Sequence, residues 1–170
     1  KTVLQYSMPL VTDEEDAPGD RYSTMGKEFV AEQVLVAKMI QRMDSDSLAK
    51  LFKMYQVARS QFGHGGTNRI KYTLLPLVFG VLKLIERATA DDASEDSGVK
   101  IKKLFQFVHE TVTALASNYA NVSLRLFLQT ALVADKLAGK AGGKGFSAIA
   151  YEFVVQSLIL FEEMANSKQK

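Results

Sequence analysis

The chain has no cysteine and only three prolines among its 170 residues. The missing thiols exclude disulfide frameworks and thiolate metal sites, and they fit a reducing compartment. Long apolar runs are also missing. The most apolar stretch, Leu74 to Ile85, contains Pro76 and Lys83 and falls well short of the ~20 residues needed to cross a bilayer. No basic-then-apolar leader precedes it, and Lys1 rather than Met stands first, so a soluble cytoplasmic protein, or a piece of one, is the expectation. Charge of one sign is scarce too. The 21 basic and 19 acidic residues leave a formal charge of +2, too little to gather nucleic acid or anionic lipid. Finally, no segment sustains the period-two alternation of a half-buried strand.

What remains is a helical pattern in a chain of ordinary globular composition, 47% hydrophobic and 24% charged, long enough for one domain with a core. Residues 1–25 include the aperiodic acidic run "TDEEDAPGDR" and read as a linker, partly disordered. Residues 26–165 carry six amphipathic segments, and 166–170 form a tail. In the first, Phe29, Val30, Gln33, Val36, Ala37 and Ile40 fall on one face at steps of three and four. Asp44, Ser45 and Asp46 offer N-caps for the second, striped by Leu48, Leu51, Phe52, Tyr55, Ala58 and Phe62. Gly63 then stands where a left-handed C-cap is expected, with Gly65 and Gly66 completing the turn. A third helix is expected to start at a Thr73 cap with Pro76 in its first turn. Its body is apolar nearly all round, which demands packing on more than one side.

The fourth segment, about 99–117, is striped by Ile101, Leu104, Phe105, Val108, Val112 and Leu115. The fifth, about 122–138, carries Leu124, Phe127, Leu128, Ala131 and Leu132. The sixth, about 147–165, carries Ile149, Phe153, Val154, Leu158, Phe161 and Met164. The acidic loop "TADDASEDSG" lies between the third and fourth segments, and the glycine-rich "GKAGGKG" ends the fifth. Alternate helix starts recur at intervals in the high forties and low fifties, at or just beyond the upper end of HEAT-type repeats. Six helices in this order form three antiparallel hairpins.

The chemistry-bearing motifs point away from catalysis. In "QFGHGGTNRI", Gln61 to Ile70, a His-Gly-Gly run could supply oxyanion amides, but only beside a G-x-S-x-G elbow after a strand, and no such elbow is present. "GKAGGKGF" puts Ala141 and Gly145 after its Gly-Lys pairs, where a phosphate-binding loop needs Ser or Thr. His109 and Glu110 are adjacent, so they point about 100° apart on a helix and do not converge on a metal. Asn121-Val122-Ser123 is formally a glycosylation triplet but reads better as a helix start. Lys100, Lys102 and Lys103 lack interleaved aromatics and read as a solvated face. Arg125 and Gln129, one turn apart on an otherwise apolar helix, either snorkel or pair across an interface. No catalytic residue, metal ligand or cofactor site is therefore expected.

Three stretches carry a resemblance. "FGHGGTNRIKYTLLPLVF" (Phe62 to Phe79), "SLRLFLQTALVAD" (Ser123 to Asp135) and "AYEFVVQSL" (Ala150 to Leu158) closely resemble the vacuolar protein sorting-associated protein 35 family, the large α-solenoid subunit of retromer. "EFVAEQVLVAKMI" (Glu28 to Ile40) looks like the family's helix ahead of the turn. The resemblance spans about 27–163, and the two loops depart from it.

The resemblance implies an all-α fold, a right-handed α-solenoid fragment of about three HEAT-like antiparallel helical hairpins from the C-terminal half of a longer scaffold. It implies no enzyme activity and no cofactor. It also implies a role in endosomal cargo retrieval, in which the fragment helps cradle a small phosphoesterase-fold subunit. Arg69, Arg125, Gln129 and Glu152 are the candidate contact residues. Nucleic acid is not an expected partner, and the membrane is reached only indirectly, through an endosome-associated complex. A cut solenoid should also self-associate through the apolar sides of its terminal helices. The competing reading is a self-contained all-α domain, regulatory or binding a small ligand at His64.

Overall fold

A computed structural model of the chain describes residues 25–90, 100–139 and 145–167. Among them lie six helices and no strand: α1 (Met25–Gln41), α2 (Leu48–Phe62), α3 (Thr67–Ala90), α4 (Ile101–Ala116), α5 (Ala120–Ala138) and α6 (Phe146–Ser167). The all-α class, a run of consecutive helices as in an α-solenoid fragment, stands. The linker over 1–24, most of "TADDASEDSG", the middle of "GKAGGKG" and the last tail residues lie outside the described residues. The chain divides between Val81 and Leu82 into two compact units, so α3 contributes its first part to one and its remainder to the other.

In the first unit, α1 buries Gln33, Val36 and Ile40, while Val30, expected on that face, is 44% exposed. α2 buries Leu51, Phe52, Tyr55, Ala58 and Phe62, the expected stripe but for a half-buried Leu48. Its cap is Ser47, whose hydroxyl accepts the Lys50 N–H at 3.4 Å. The earlier candidates bond locally instead: Asp44 Oδ1 accepts the Ser45 N–H, and Ser45 Oγ accepts the Ser47 N–H. Only Ser47 stands the one position before the helix from which a side chain reaches the N3 amide.

The turn between α2 and α3 is tighter than the sequence suggests. Gly63 is the C-cap, but in right-handed conformation (φ −74°, ψ −7°), its N–H bonded to the Arg59 carbonyl. Glycine is needed there for close approach rather than for a left-handed φ, because a Cβ would sit 2.5 Å from the Arg59 oxygen. The Gly65 N–H reaches the Phe62 carbonyl at 3.5 Å, and the Gly66 carbonyl accepts from Arg69 and Ile70 to start α3. α3 therefore begins at Thr67, a turn and a half ahead of the expected start. Thr73 is not its cap, and Pro76 is not in its first turn but inside the helix. The Thr73 hydroxyl is buried and faces two carbonyls, Phe62 at 3.3 Å and Ile70 at 3.1 Å. Phe62 ends α2, so its carbonyl lacks an intrahelical donor. Thr73 thus closes one helix from within the next. Pro76 withholds the N–H that would bond the Tyr72 carbonyl.

Farther along α3, Gly80 marks a close crossing: a Cβ there would meet the Tyr55 ring at 2.8 Å. α3 buries Leu74, Leu77, Val78 and Val81 in the first unit and Leu82, Leu84, Ile85 and Ala88 in the second. All lie within one broad arc while Phe79 is 49% exposed, so the nearly all-round apolar sequence of α3 is not matched by all-round packing.

The second unit is built on α5, which packs extensively on α6 and also on α4. α4 buries Leu104, Phe105, Phe107, Val108, Thr111, Val112 and Leu115, the expected stripe but for a half-buried Ile101, with Phe107 and Thr111 added. α5 and α6 depart from expectation. α5 buries Leu126, Phe127, Thr130, Ala131, Val133, Ala134 and Leu137 but leaves Leu128 and Leu132 44% and 58% exposed. α6 buries Ala150, Phe153, Ser157 and Leu160 and exposes Val154, Leu158 and Phe161. Both helices have apolar residues on more than one face, so periodicity alone does not say which face the unit uses. The expected even recurrence is not kept either, since alternate helices start at Met25, Thr67 and Ala120.

Candidate partner-binding surface

The four candidate contact residues divide between the two units. Arg69 lies in the first unit, half-buried, with its guanidinium 5.2 Å from the centroid of the Phe29 ring. That cation–π contact ties α3 to α1 and gives Arg69 a structural role. The other three lie in the second unit. Arg125 and Gln129 are exposed one turn apart on α5, and Glu152 is exposed on α6.

Arg125 and Gln129 have company that the sequence reading assigned to the core. Leu128 and Leu132 follow at steps of three and four along the same exposed strip, so α5 offers a guanidinium, an amide and two leucines in a single row. Partner interfaces favour this mixture, with Arg and apolar side chains at the centre and polar groups around them. The available signal was the spacing itself: residues 125, 128, 129 and 132 share a face, and a face holding Arg and Gln is the one to expect in solvent.

His64 is exposed in the α2–α3 turn, so it is not enclosed as a small-ligand site would require. His109 has a role that the sequence did not reveal. Its ring lies 5.9 Å from Phe127 and 5.8 Å from Phe153. Phe153 in turn lies 6.1 Å from both Phe105 and Phe127. His109 thus works as an aromatic side chain in a cluster that joins α4, α5 and α6, while Glu110 accepts a hydrogen bond from Gln106 on the outer face. Among the described residues, no group of three His, Asp or Glu could hold a metal ion, and no helix is long and apolar enough to cross a membrane.

An all-α run of helices with mixed apolar and charged outer strips is the class of the α-solenoid scaffolds. Within it, the chain belongs to the vacuolar protein sorting-associated protein 35 family, whose profile matches residues 1–170. It is 37% identical over 140 residues to vacuolar protein sorting-associated protein 35 of Dictyostelium discoideum, an alignment that covers 78% of this chain and 17% of the relative. It is 35% identical over 140 residues to protein 35A of Arabidopsis thaliana, covering 80% and 17%. With protein 35B of the same plant it shares 33% identity over 147 residues, covering 84% and 18%. The chain thus matches less than a fifth of the length of these relatives.

Proposed function

We propose that this chain is a non-enzymatic scaffold segment of the retromer cargo-recognition complex in endosomal protein sorting, and that it helps to cradle the small phosphoesterase-fold subunit. Residues 26–165 then serve as about three HEAT-like hairpins of a longer solenoid. The segment works on the cytoplasmic face of endosomes and touches the membrane only through the complex. Family membership supports the sorting role. The observation that carries the partner role is the exposed α5 strip of Arg125, Leu128, Gln129 and Leu132, with Glu152 exposed on the helix packed against α5. Arg69 contributes indirectly, by holding α1 and α3 in register.

The test is calorimetric titration of the chain with the small phosphoesterase-fold subunit. Arg125→Glu should weaken binding by about tenfold or more, the effect of losing a central Arg with reversal of its charge, and Gln129→Ala by less. If the folded wild-type chain shows no binding at high micromolar concentrations, this segment is not a cradle by itself. Unchanged affinity in Arg125→Glu would move the interface off α5.

A further inference from the structure

The outer strip of α5 carries a second cation. Arg125 stands in the second turn of the helix and Lys136 in the last, and both are exposed. A step of eleven residues is three helical turns plus about 20°, so the two lie on one line, about 16 Å apart along the axis. Leu128 and Leu132, 44% and 58% exposed, lie between them with Gln129, and Asn121 is exposed one turn before Arg125. The strip is therefore a pair of leucines with an amide, flanked on both sides by positive charge.

The fold itself does not use either cation. Among the described residues, neither the Arg125 nor the Lys136 side chain has a hydrogen-bond or ion-pair partner. Asp135 is the one carboxylate of α5, and as the neighbour of Lys136 it points about 100° away from it. Lys136 gains from the negative pole at the end of its helix, but Arg125 stands toward the positive pole and gains nothing there. Two exposed leucines alone would not say what covers them. A face that also holds Asn, Arg, Gln and Lys is not one that stacked helices bury, because a cation shut into an apolar contact without a counter-charge is costly. What covers this strip must bring acidic groups of its own.

We infer that α5 recognises a protein surface whose apolar patch is flanked by two carboxylates about 16 Å apart, with Lys136 the second charged anchor beside Arg125. This rests on the partner role proposed above and supplies the chemistry of that partner. Leu128 and Leu132 provide the contact that excludes water and governs dissociation. The two cations set the orientation of the partner and the rate at which it arrives.

The test is to measure association and dissociation of the 170-residue chain with the small phosphoesterase-fold subunit by surface plasmon resonance. Association should slow several-fold between about 50 and 300 mM salt, as screening shortens the reach of both cations. Lys136→Glu should slow it by about three- to tenfold at low salt, with helical circular dichroism unchanged. Lys53→Glu, which reverses an exposed charge on α2, should leave the rates as they are, and Leu132→Ala should speed dissociation instead. Zero-length carbodiimide cross-linking reads the carboxylate directly, since it joins a lysine only to an acid in contact with it. Peptide mapping should find Lys136 joined to an Asp or Glu of the subunit. Lys136→Arg should lose that link and keep the affinity. No binding by the folded wild-type chain overturns the partner role and this inference with it. Binding that ignores both salt and Lys136→Glu leaves the partner role standing and overturns the carboxylate pair. A Lys136 link confined to acids of its own chain does the same.

Discussion

The two units achieve cohesion by different means. The first adds to its apolar core, built on Val36, Ile40, Leu51, Phe62 and Leu77, a few position-specific contacts: the Thr73 hydroxyl toward the Phe62 carbonyl, the Tyr55 ring against Gly80, and the Arg69 guanidinium over Phe29. The second is held by broad aromatic and aliphatic packing around Phe105, Phe127, Phe153 and His109. Its buried threonines, Thr111 and Thr130, merely bond back to carbonyls of their own helices. A polar contact between helices fixes register, while apolar packing supplies area and tolerates adjustment. If that contrast is right, the second unit should fail by losing volume and the first by losing a particular atom.

The largest effect should come from Phe153→Ala. Phe153 is 2% exposed and touches a ring from each of α4 and α5, so its removal opens a cavity at the meeting point of three helices. Urea denaturation should show a loss of about 3–5 kcal/mol. Hydrogen exchange should show the loss of protection concentrated in α4–α6. Equal loss in both units would mean that they unfold as one body, and the comparison would have no energetic meaning.

How much of this was legible in the sequence depended on how many faces each helix buries. For α2 and α4, one stripe is apolar and the opposite face is charged, so Leu51, Phe52, Tyr55 and Ala58, or Leu104, Phe105, Val108 and Val112, could be read directly. For α5 and α6, apolar residues occupy several faces, and Leu128, Leu132, Leu158 and Phe161 were assigned to a core that does not use them. Periodicity reports that a residue is apolar, not what covers it. The α2–α3 turn was misread for a different reason. Thr73 and Pro76 have the chemistry of a helix start, yet the helix begins at Thr67, because Gly66 presents its carbonyl and α2 supplies a partner for the Thr73 hydroxyl. Tertiary contact outweighed a local signal. The candidate site was legible as residue types, with Arg125 and Gln129 on the surface as expected, but the leucines completing their strip were not.

The next effect probes the closest contact of the first unit. In a solvated helix, Gly→Ala would be favourable by up to about 1 kcal/mol. At Gly80 the new methyl meets the Tyr55 Cζ and Oη at 2.8 Å and Cε1 at 3.0 Å, and that ring is 4% exposed with little room to swing. Overpacking should win, leaving Gly80→Ala less stable by about 1–3 kcal/mol. Tyr55→Leu alone should also destabilise, but combining the two should recover part of the loss, a coupling that a double-mutant cycle measures. Strict additivity would mean that the crossing adjusts freely and that the first unit is no more position-specific than the second.

The smallest effect separates the units most cleanly, because it uses one substitution in both. Thr→Val keeps the shape and removes only the hydroxyl. At Thr130 the lost bond runs 2.7 Å to Leu126 of the same helix, a carbonyl that the regular ladder already serves at residue i+4. Nothing buried is stranded, and the added methyl suits an apolar site, so Thr130→Val should change stability by less than about 0.5 kcal/mol. At Thr73 the hydroxyl shares its one proton between Ile70 of its own helix at 3.1 Å and the terminal carbonyl of another helix, Phe62 at 3.3 Å. The remaining donor to the Phe62 carbonyl is the Gly65 N–H at a long 3.5 Å. Thr73→Val leaves that buried acceptor poorly satisfied and should cost about 1–2 kcal/mol. Faster exchange at the end of α2 should accompany the loss, and Thr73→Ser, which retains the hydroxyl, should restore the protection. Equal costs for the two valine variants would reduce Thr73 to one more back-bonding threonine.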